Sequence, residues 1–272
     1  MWSFLMHLIE EPLEELNYLQ EEAEKENRKN LLRCLPPGHV LGVRLPTTLE
    51  WYPSDTKENF EKSSKTHQDY WKNYHIDYKL NSYGFRCDEF PEEEEKESIA
   101  FLGCSVPFGI GMPKEYSFTT LLSKQLGLKE FNYSNPGGSL DCCYRVYKEW
   151  QPIHKSKYTV LMVPTLSRFE IVTPQLVERI GTWALDTMTE NKRELLLDKF
   201  FNNSEIVQRA KKNLDAIKHI AVDTESTLII VNRALSRILP HFQARDDIHP
   251  GIEWNERTQL RIKALIDKCT AN

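Results

Sequence analysis

Cysteine is scarce in this chain: six in 272 residues, at Cys34, Cys87, Cys104, Cys142, Cys143 and Cys269. Their spacing is irregular, with no Cys-x-x-Cys and no histidine placed to complete a zinc site, which argues against a disulfide framework and a structural metal. Reduced thiols in a cytoplasmic setting are the expectation. Long apolar runs are missing as well. Met1 to Ile9 is apolar but short, lacks a cationic start and a small-residue cleavage site, and runs into Glu10-Glu11. It reads as neither a signal peptide nor a membrane span. There is no basic excess. Lys and Arg total 35 against 40 Asp and Glu, and the net −5 is contained in Met1 to Asn30, where eight glutamates face three basic residues. The near-neutral remainder offers no electrostatic reason to expect nucleic acid as a partner. No internal repeat is found, and the only biased tract is Glu92 to Glu95, a solvated linker turn.

What is present is enough apolar residue, 40% of the chain, to bury one substantial core. Pro12 to Leu32 has the period of an amphipathic helix, with Leu13, Leu16, Leu19 and Ala23 on one face and glutamates on the other. Residues 39–97 are aromatic and polar, with few aliphatic runs, and are expected to form short strands and loops packed on a neighbouring domain. From Ser98 the pattern alternates. Strands are expected at Ile99–Gly103, Glu130–Tyr133, Tyr158–Val163 and Thr227–Asn232. Helices are expected at Tyr116–Leu126, Ser139–His154, Pro174–Phe201 (broken), Ser204–Asp223 and Ile252–Lys268. Apolar strands separated by helices imply right-handed crossovers and a parallel sheet covered on both faces, an α/β/α three-layer sandwich. The division expected is an N-terminal extension over 1–95 and an α/β domain over 96–272.

Two short segments carry chemistry. In Ser98 to Gly111 an apolar strand ends in Gly103-Cys104-Ser105, presenting Ser105 at the carboxyl edge of the sheet, where open α/β sheets bind ligands. Near the other end, Asp246-Asp247-Ile248-His249-Pro250 precedes the last helix and holds an acid and a base three residues apart. A serine hydroxyl is a weak nucleophile until a base takes its proton, and imidazole does so near neutral pH. His249 fills that role, with Asp246 fixing its tautomer. The three-residue interval favours Asp246 over Asp247. A Gly-x-Ser turn or an Asp-x-x-His is common alone; their order along the chain gives them force. Cys104 and the Cys142-Cys143 pair read as packed small hydrophobes. His154, His219 and His241 lack partners at useful spacings and suit surface or helix-end positions.

With the glycines between them, these segments resemble the SGNH hydrolases, also called the GDSL esterase and lipase family. Gly103-Cys104-Ser105 stands where that family has Gly-Asp-Ser. Asn81 to Arg86 is similar to the lead-in of some members, Asn132 to Ser139 to the second block, and Asp246 with His249 to the final Asp-x-x-His. The resemblance covers about residues 98–270. It implies the α/β/α sandwich of that family and a Ser105–His249–Asp246 triad. It also implies an oxyanion hole from the backbone of Ser105 and Gly137. One block departs from the pattern. Where the family has Gly-x-Asn-Asp after the third strand, this chain reads Val163 to Glu170, which sets Ser167 at the asparagine position with Arg168 beside it. Ser167 or Arg168 is the third donor on this reading. The implied activity is hydrolysis of a small acyl ester, an acetylated carbohydrate among the candidates, with no metal or organic cofactor.

Two other readings remain open. The altered third block suits a module that keeps the cleft to bind a glycan or a partner protein without turnover. The acidic N-terminal helix suits a docking or oligomerisation segment, although its leucine stripe is more simply buried against the rest of the chain. The span from Glu170 to Asn203 exceeds what a crossover needs and is a candidate lid or specificity wall. Trp183, Met188 and Phe200 either line it or fill a small satellite core.

Overall fold

The structure, a computed structural model, describes residues 45–172, 177–186, 188–232 and 243–270. The helix expected at Pro12–Leu32, together with Cys34 and His241, lies outside the described residues. The first described elements are β1 (Thr47–Leu49), α1 (Lys57–Lys62), α2 (Lys65–Trp71) and β2 (Tyr78–Leu80), with β1 and β2 pairing antiparallel. The two helices correct the expectation of strands and loops alone in this region. Each is started by a hydroxyl cap: Thr56 accepts the N–H of Asn59 and Ser64 that of His67. Such caps are worth about 1 kcal/mol each. Of the two helices' residues, only Trp71 is fully buried, so no apolar period marks them in the sequence.

The alternating part follows as β3 (Ser98–Leu102), α3 (Ser105–Phe108), α4 (Phe118–Leu126), β4 (Lys129–Asn132), α5 (Leu140–His154) and β5 (Tyr158–Met162). Next come β6 (Phe169–Val172), β7 (Val177–Ile180), α6 (Thr182–Leu185), α7 (Glu190–Phe200), α8 (Asn203–Asp223), β8 (Thr227–Val231) and α9 (Ile252–Thr270). The four main strands form one parallel sheet in the order β4-β3-β5-β8, close to the strands expected from the sequence. Their side chains alternate between two apolar layers. Ala100, Leu102, Phe131 and Leu161 meet α5 and α8 through Val146, Trp150, Ala210 and Ile217. Ile99, Phe101, Val160, Met162, Ile229 and Val231 meet α4 and α9 through Phe118, Leu122, Trp254 and Ile262. Helices therefore cover both faces, and the fold is a three-layer α/β/α sandwich.

Residues of the N-terminal segment share the first layer. Trp71, Ile76, Tyr78, Leu80, Phe85 and Phe90 are buried in the same cluster as the sheet residues. His154, expected at a surface or helix end, does end α5 but is fully buried. It bonds Tyr133 through Nδ1 at 2.6 Å and the Pro91 carbonyl through Nε2 at 3.0 Å, and burial lowers its pKa to about 4.

The helix expected from Pro174 is corrected in its first half. Val177–Ile180 is a strand paired antiparallel with β6, Phe169 opposite Ile180. Val177 and Ile180 are the buried residues of β7, and their spacing of three imitates one turn of an amphipathic helix. What selects the strand is its partner, invisible in a local window. This hairpin packs with Leu185 and Leu196 in a separate small core, against which Met188 and Phe200 lie.

From β3 the chain goes first to β4 on one side, then crosses to β5 on the other. The carboxyl end of β3 is thus a topological switch point, where such sheets open a crevice.

Candidate active site

Ser105 is the first residue of α3, immediately beyond that switch point. The turn leading to it needs Gly103, because a β-carbon there would stand 2.6 Å from Pro107 Cγ and 2.9 Å from the Met162 carbonyl oxygen. The helix start leaves first-turn amides without partners inside the helix, a general source of donors for an anion. Cys104 is buried beside Ser105. Burial pushes the thiols of Cys142 and Cys143 well above the usual range, as suits packing residues and not nucleophiles.

The acid and base arrive from a loop just before α9. An isolated bridge between Gln243 and Pro250 closes this loop, and inside it Ala244 N–H donates to the His249 carbonyl at 2.8 Å and Asp247 N–H to the Ala244 carbonyl at 2.8 Å. The loop is seated on the segment that follows Ser105 at Gly111, whose carbonyl accepts the Arg245 N–H at 2.9 Å. Gly111 has φ +70°, and a β-carbon there would lie 2.8 Å from Ala244 Cβ and 3.1 Å from Asp246 N. The absence of a side chain is what lets the two segments touch.

Contact at that point brings the three predicted residues together. Ser105 Oγ is 2.6 Å from His249 Nε2, and His249 Nδ1 is 2.6 Å from Asp246 Oδ2. Burial alone would raise the Asp246 carboxyl, but the hydrogen bonds and charge of His249, with a further bond from Ser54, outweigh it and hold the group below its ordinary value. An ionised carboxylate only accepts, so Nδ1 carries the ring hydrogen and Nε2 accepts the Ser105 hydroxyl. Asp247, the rival acid, is exposed and lies 3.8 Å from His67 Nδ1.

The second block also reaches the site. Asn135 N–H donates to the Gly103 carbonyl at 3.2 Å, and Gly138 N–H turns back to the Asn135 carbonyl at 2.7 Å, so Gly137 sits on a loop anchored two residues before Ser105. Arg179 of β7 binds the Asn135 side chain and the Pro136 carbonyl. Arg145 of α5 forms a two-pronged ion pair with Glu170 of β6, at 2.8 and 3.0 Å. The β6–β7 hairpin is thereby pinned beside the loop. Half-exposed Trp183 lies over Gly137, its ring 3.4 Å from where a β-carbon would be. Of the three residues considered for a wall over the cleft, Trp183 alone is both exposed and against the second block. Ser167 and Arg168 stand in the turn between β5 and β6, where Arg168 N–H donates to Thr165 at 3.2 Å. The Arg168 guanidinium stacks on the far reach of this group, 4.8 Å from the Trp183 ring, and its Nη1 is buried without a hydrogen-bond partner among the described residues.

Sequence reasoning missed the braces from the N-terminal segment. Ser54 donates to Asp246 Oδ2 at 2.8 Å, Asp55 binds Arg245, and His67 Nε2 contacts the Arg245 carbonyl at 3.1 Å. Ser54-Asp55 has no local signature; its partners lie some 190 residues away. Among the described residues no helix is long and apolar enough to cross a membrane.

A serine, a histidine and an aspartate thus stand hydrogen-bonded in series at the switch point of a parallel sheet in an α/β/α sandwich. No family model matches the chain, and no curated protein matches it in sequence. Among solved structures it is similar to a psychrotrophic esterase, EstA, from Pseudoalteromonas sp., at 12% identity, covering 65% of this chain and 100% of that one with a TM-score of 0.38. It is similar to an acetyl xylan esterase, Est2A, from the rumen bacterium Butyrivibrio proteoclasticus, at 11% identity, 67% and 66% coverage and a TM-score of 0.33. A GDSL-like lipase from Bacteroides thetaiotaomicron aligns at 12% identity, 64% and 89% coverage and a TM-score of 0.30.

Proposed function

We propose that this chain is a serine esterase of the SGNH type that hydrolyses a small acyl ester. The observation that carries the reading is the unbroken hydrogen-bonded series from Ser105 Oγ through the His249 ring to Asp246, with both links 2.6 Å long. That is the geometry general-base activation of an alcohol requires.

In the first step Ser105 Oγ attacks the ester carbonyl while its proton passes to His249 Nε2, and the carbonyl electrons move onto oxygen. Backbone N–H groups of Ser105 and Gly137 receive that oxyanion, with Ser167 or Arg168 as the third donor. Asp246 stabilises the imidazolium without itself taking the proton. Collapse of the intermediate breaks the bond to the alcohol, which leaves with the proton from His249, and an acyl-Ser105 ester remains. Water then attacks this ester, gives its proton to His249, and the acid departs as Ser105 recovers its hydrogen. Every step is proton and acyl transfer among these groups, so the proposal includes no cofactor. The substrate we propose is an acetyl ester, with an acetylated carbohydrate as the natural class, and the setting we propose is the cytoplasm.

The test is turnover of an aryl acetate by the full chain and by Ser105→Ala. Loss of turnover in the variant and labelling of the parent by a fluorophosphonate at Ser105 support the esterase; equal turnover by both removes Ser105 from the chemistry. Asp246→Asn is expected to lower kcat by about 10⁴-fold, the scale of losing the tautomer-fixing acid. The serine at 167 in place of an asparagine favours a second reading, a binding module for a glycan or partner protein. Binding of an acetylated sugar without turnover or fluorophosphonate labelling would favour it.

A further inference from the structure

Asp246 is held from outside the two segments that supply the series. Its Oδ1 accepts the N–H groups of Ile248 at 3.2 Å and His249 at 3.0 Å, and its Oδ2 accepts His249 Nδ1 at 2.6 Å. The fourth donor is the Ser54 hydroxyl, 2.8 Å from Oδ2. Three donors belong to the same turn as the acid and move with it. Among the described residues Ser54 alone ties the carboxylate to a different element.

Ser54 is itself well fixed. Its carbonyl accepts Asn59 Nδ2 at 2.8 Å. The next residue, Asp55, is fully buried, receives the Tyr78 hydroxyl at 2.5 Å and Arg245 Nη2 at 2.7 Å, and its carbonyl accepts the Tyr52 N–H at 2.8 Å. Arg245, directly before the acid, stacks 3.8 Å from the Trp51 ring and donates to the Glu50 carbonyl at 2.7 Å. A donor anchored this firmly sets the rotation of the carboxylate, so that Oδ2 keeps facing the imidazole as its charge develops.

We infer that Ser54 is a positioning residue for the Asp246–His249 pair, which makes the N-terminal segment part of the site. The inference rests on the esterase reading for its effect on rate, but the hold of Ser54 on Asp246 is measurable without any substrate. Hydrogen bonds to an ionised acceptor are the stronger kind, and losing one that acts mainly in the transition state lowers kcat and leaves KM in place.

The experiment compares the full chain with Ser54→Ala and Ser54→Thr, reading kcat and KM on an aryl acetate, and the titration midpoint of the Asp246 carboxyl by carbon-13 NMR. Ser54→Ala is expected to lower kcat about tenfold with KM within about twofold and to raise the Asp246 midpoint. Ser54→Thr, which keeps the hydroxyl, is expected to restore most of both. An unmoved midpoint in Ser54→Ala, an unchanged kcat, or equal losses in the Ala and Thr variants each overturn the inference. Equal turnover by the parent and Ser105→Ala instead defeats the esterase reading, and the midpoint alone then decides whether Ser54 holds Asp246.

Discussion

Arg245 grips the buried carboxylate of Asp55 through two nitrogens, Nε at 2.9 Å and Nη2 at 2.7 Å, across 190 positions of chain. The pair ties the loop that carries Asp246 and His249 to the N-terminal segment. Both side chains are almost completely shielded, where removing one partner leaves an uncompensated charge in the interior. Asp55→Ala is therefore expected to destabilise the chain by about 3–5 kcal/mol, read as a lower urea midpoint with an unchanged slope. A surface pair such as Lys57 with Glu61, both exposed, is expected to cost under about 1 kcal/mol when broken.

Gly111→Ala tests the seat of the loop that carries Asp246 and His249. The new β-carbon would press on Ala244 and on the backbone of Arg245 and Asp246, and backbone yields less readily than a flexible side chain. A left-handed φ adds about 1–2 kcal/mol. The expected outcome is a kcat loss of tenfold or more, about the scale set by misplacing a base by an ångström, with slower fluorophosphonate labelling of Ser105. Labelling at the parent rate would show that the loop does not depend on this contact.

The pH dependence of stability should carry a signature of His154. Its pKa is lowered to about 4 by burial, against about 6.5 in an unfolded chain. Between these values the unfolded state binds the proton and the native state does not, so stability rises with pH through that window. The contribution is fully present above about pH 6.5 and is lost as pH falls toward 4. His154→Gln, which keeps a donor for Pro91 and an acceptor for Tyr133, is expected to flatten this part of the curve, measured by thermal unfolding at pH 7, 6, 5 and 4. An equal fall in Tm for both proteins would remove His154 as the cause.

Ser167→Asn examines the third block. A carboxamide reaches further than a hydroxyl and carries two donor hydrogens, and one oxyanion donor is worth about 100- to 1000-fold in turnover elsewhere. If Ser167 occupies the donor position, the variant is expected to raise kcat on an aryl acetate by up to about that factor, with little change in KM. Unchanged kcat would exclude residue 167 from the hole.

Strands β3 and β5 were legible because each is a short apolar run buried along its whole length, and β4 and β8, which carry exposed positions, were legible from their place between helical segments in the alternation. Helix Leu140–His154 was legible to within one residue, the expected first residue Ser139 standing instead as its cap and accepting the N–H of Cys142. Ser105, Asp246 and His249 could be named as well, because a strand-ending glycine turn and an Asp-x-x-His are local patterns that geometry imposes on a few consecutive residues. The sequence by itself therefore determined the layers, the four strands of the main sheet and the three groups that meet.

Tertiary structure alone decided the rest. Val177 and Ile180 carry a spacing of three that fits a helix, and only pairing with Phe169–Val172 made them a strand. Thr56 and Ser64 start helices of which only Trp71 is fully buried, so no period announced them. Ser54, Asp55 and Arg245 meet across long stretches of chain, and no local pattern encodes which distant donor will fill a carboxylate's last lone pair. The reason is physical: periodicity and turn chemistry act within a few residues, whereas hydrogen-bond satisfaction in a buried site is settled by whatever the completed fold brings within about 3 Å.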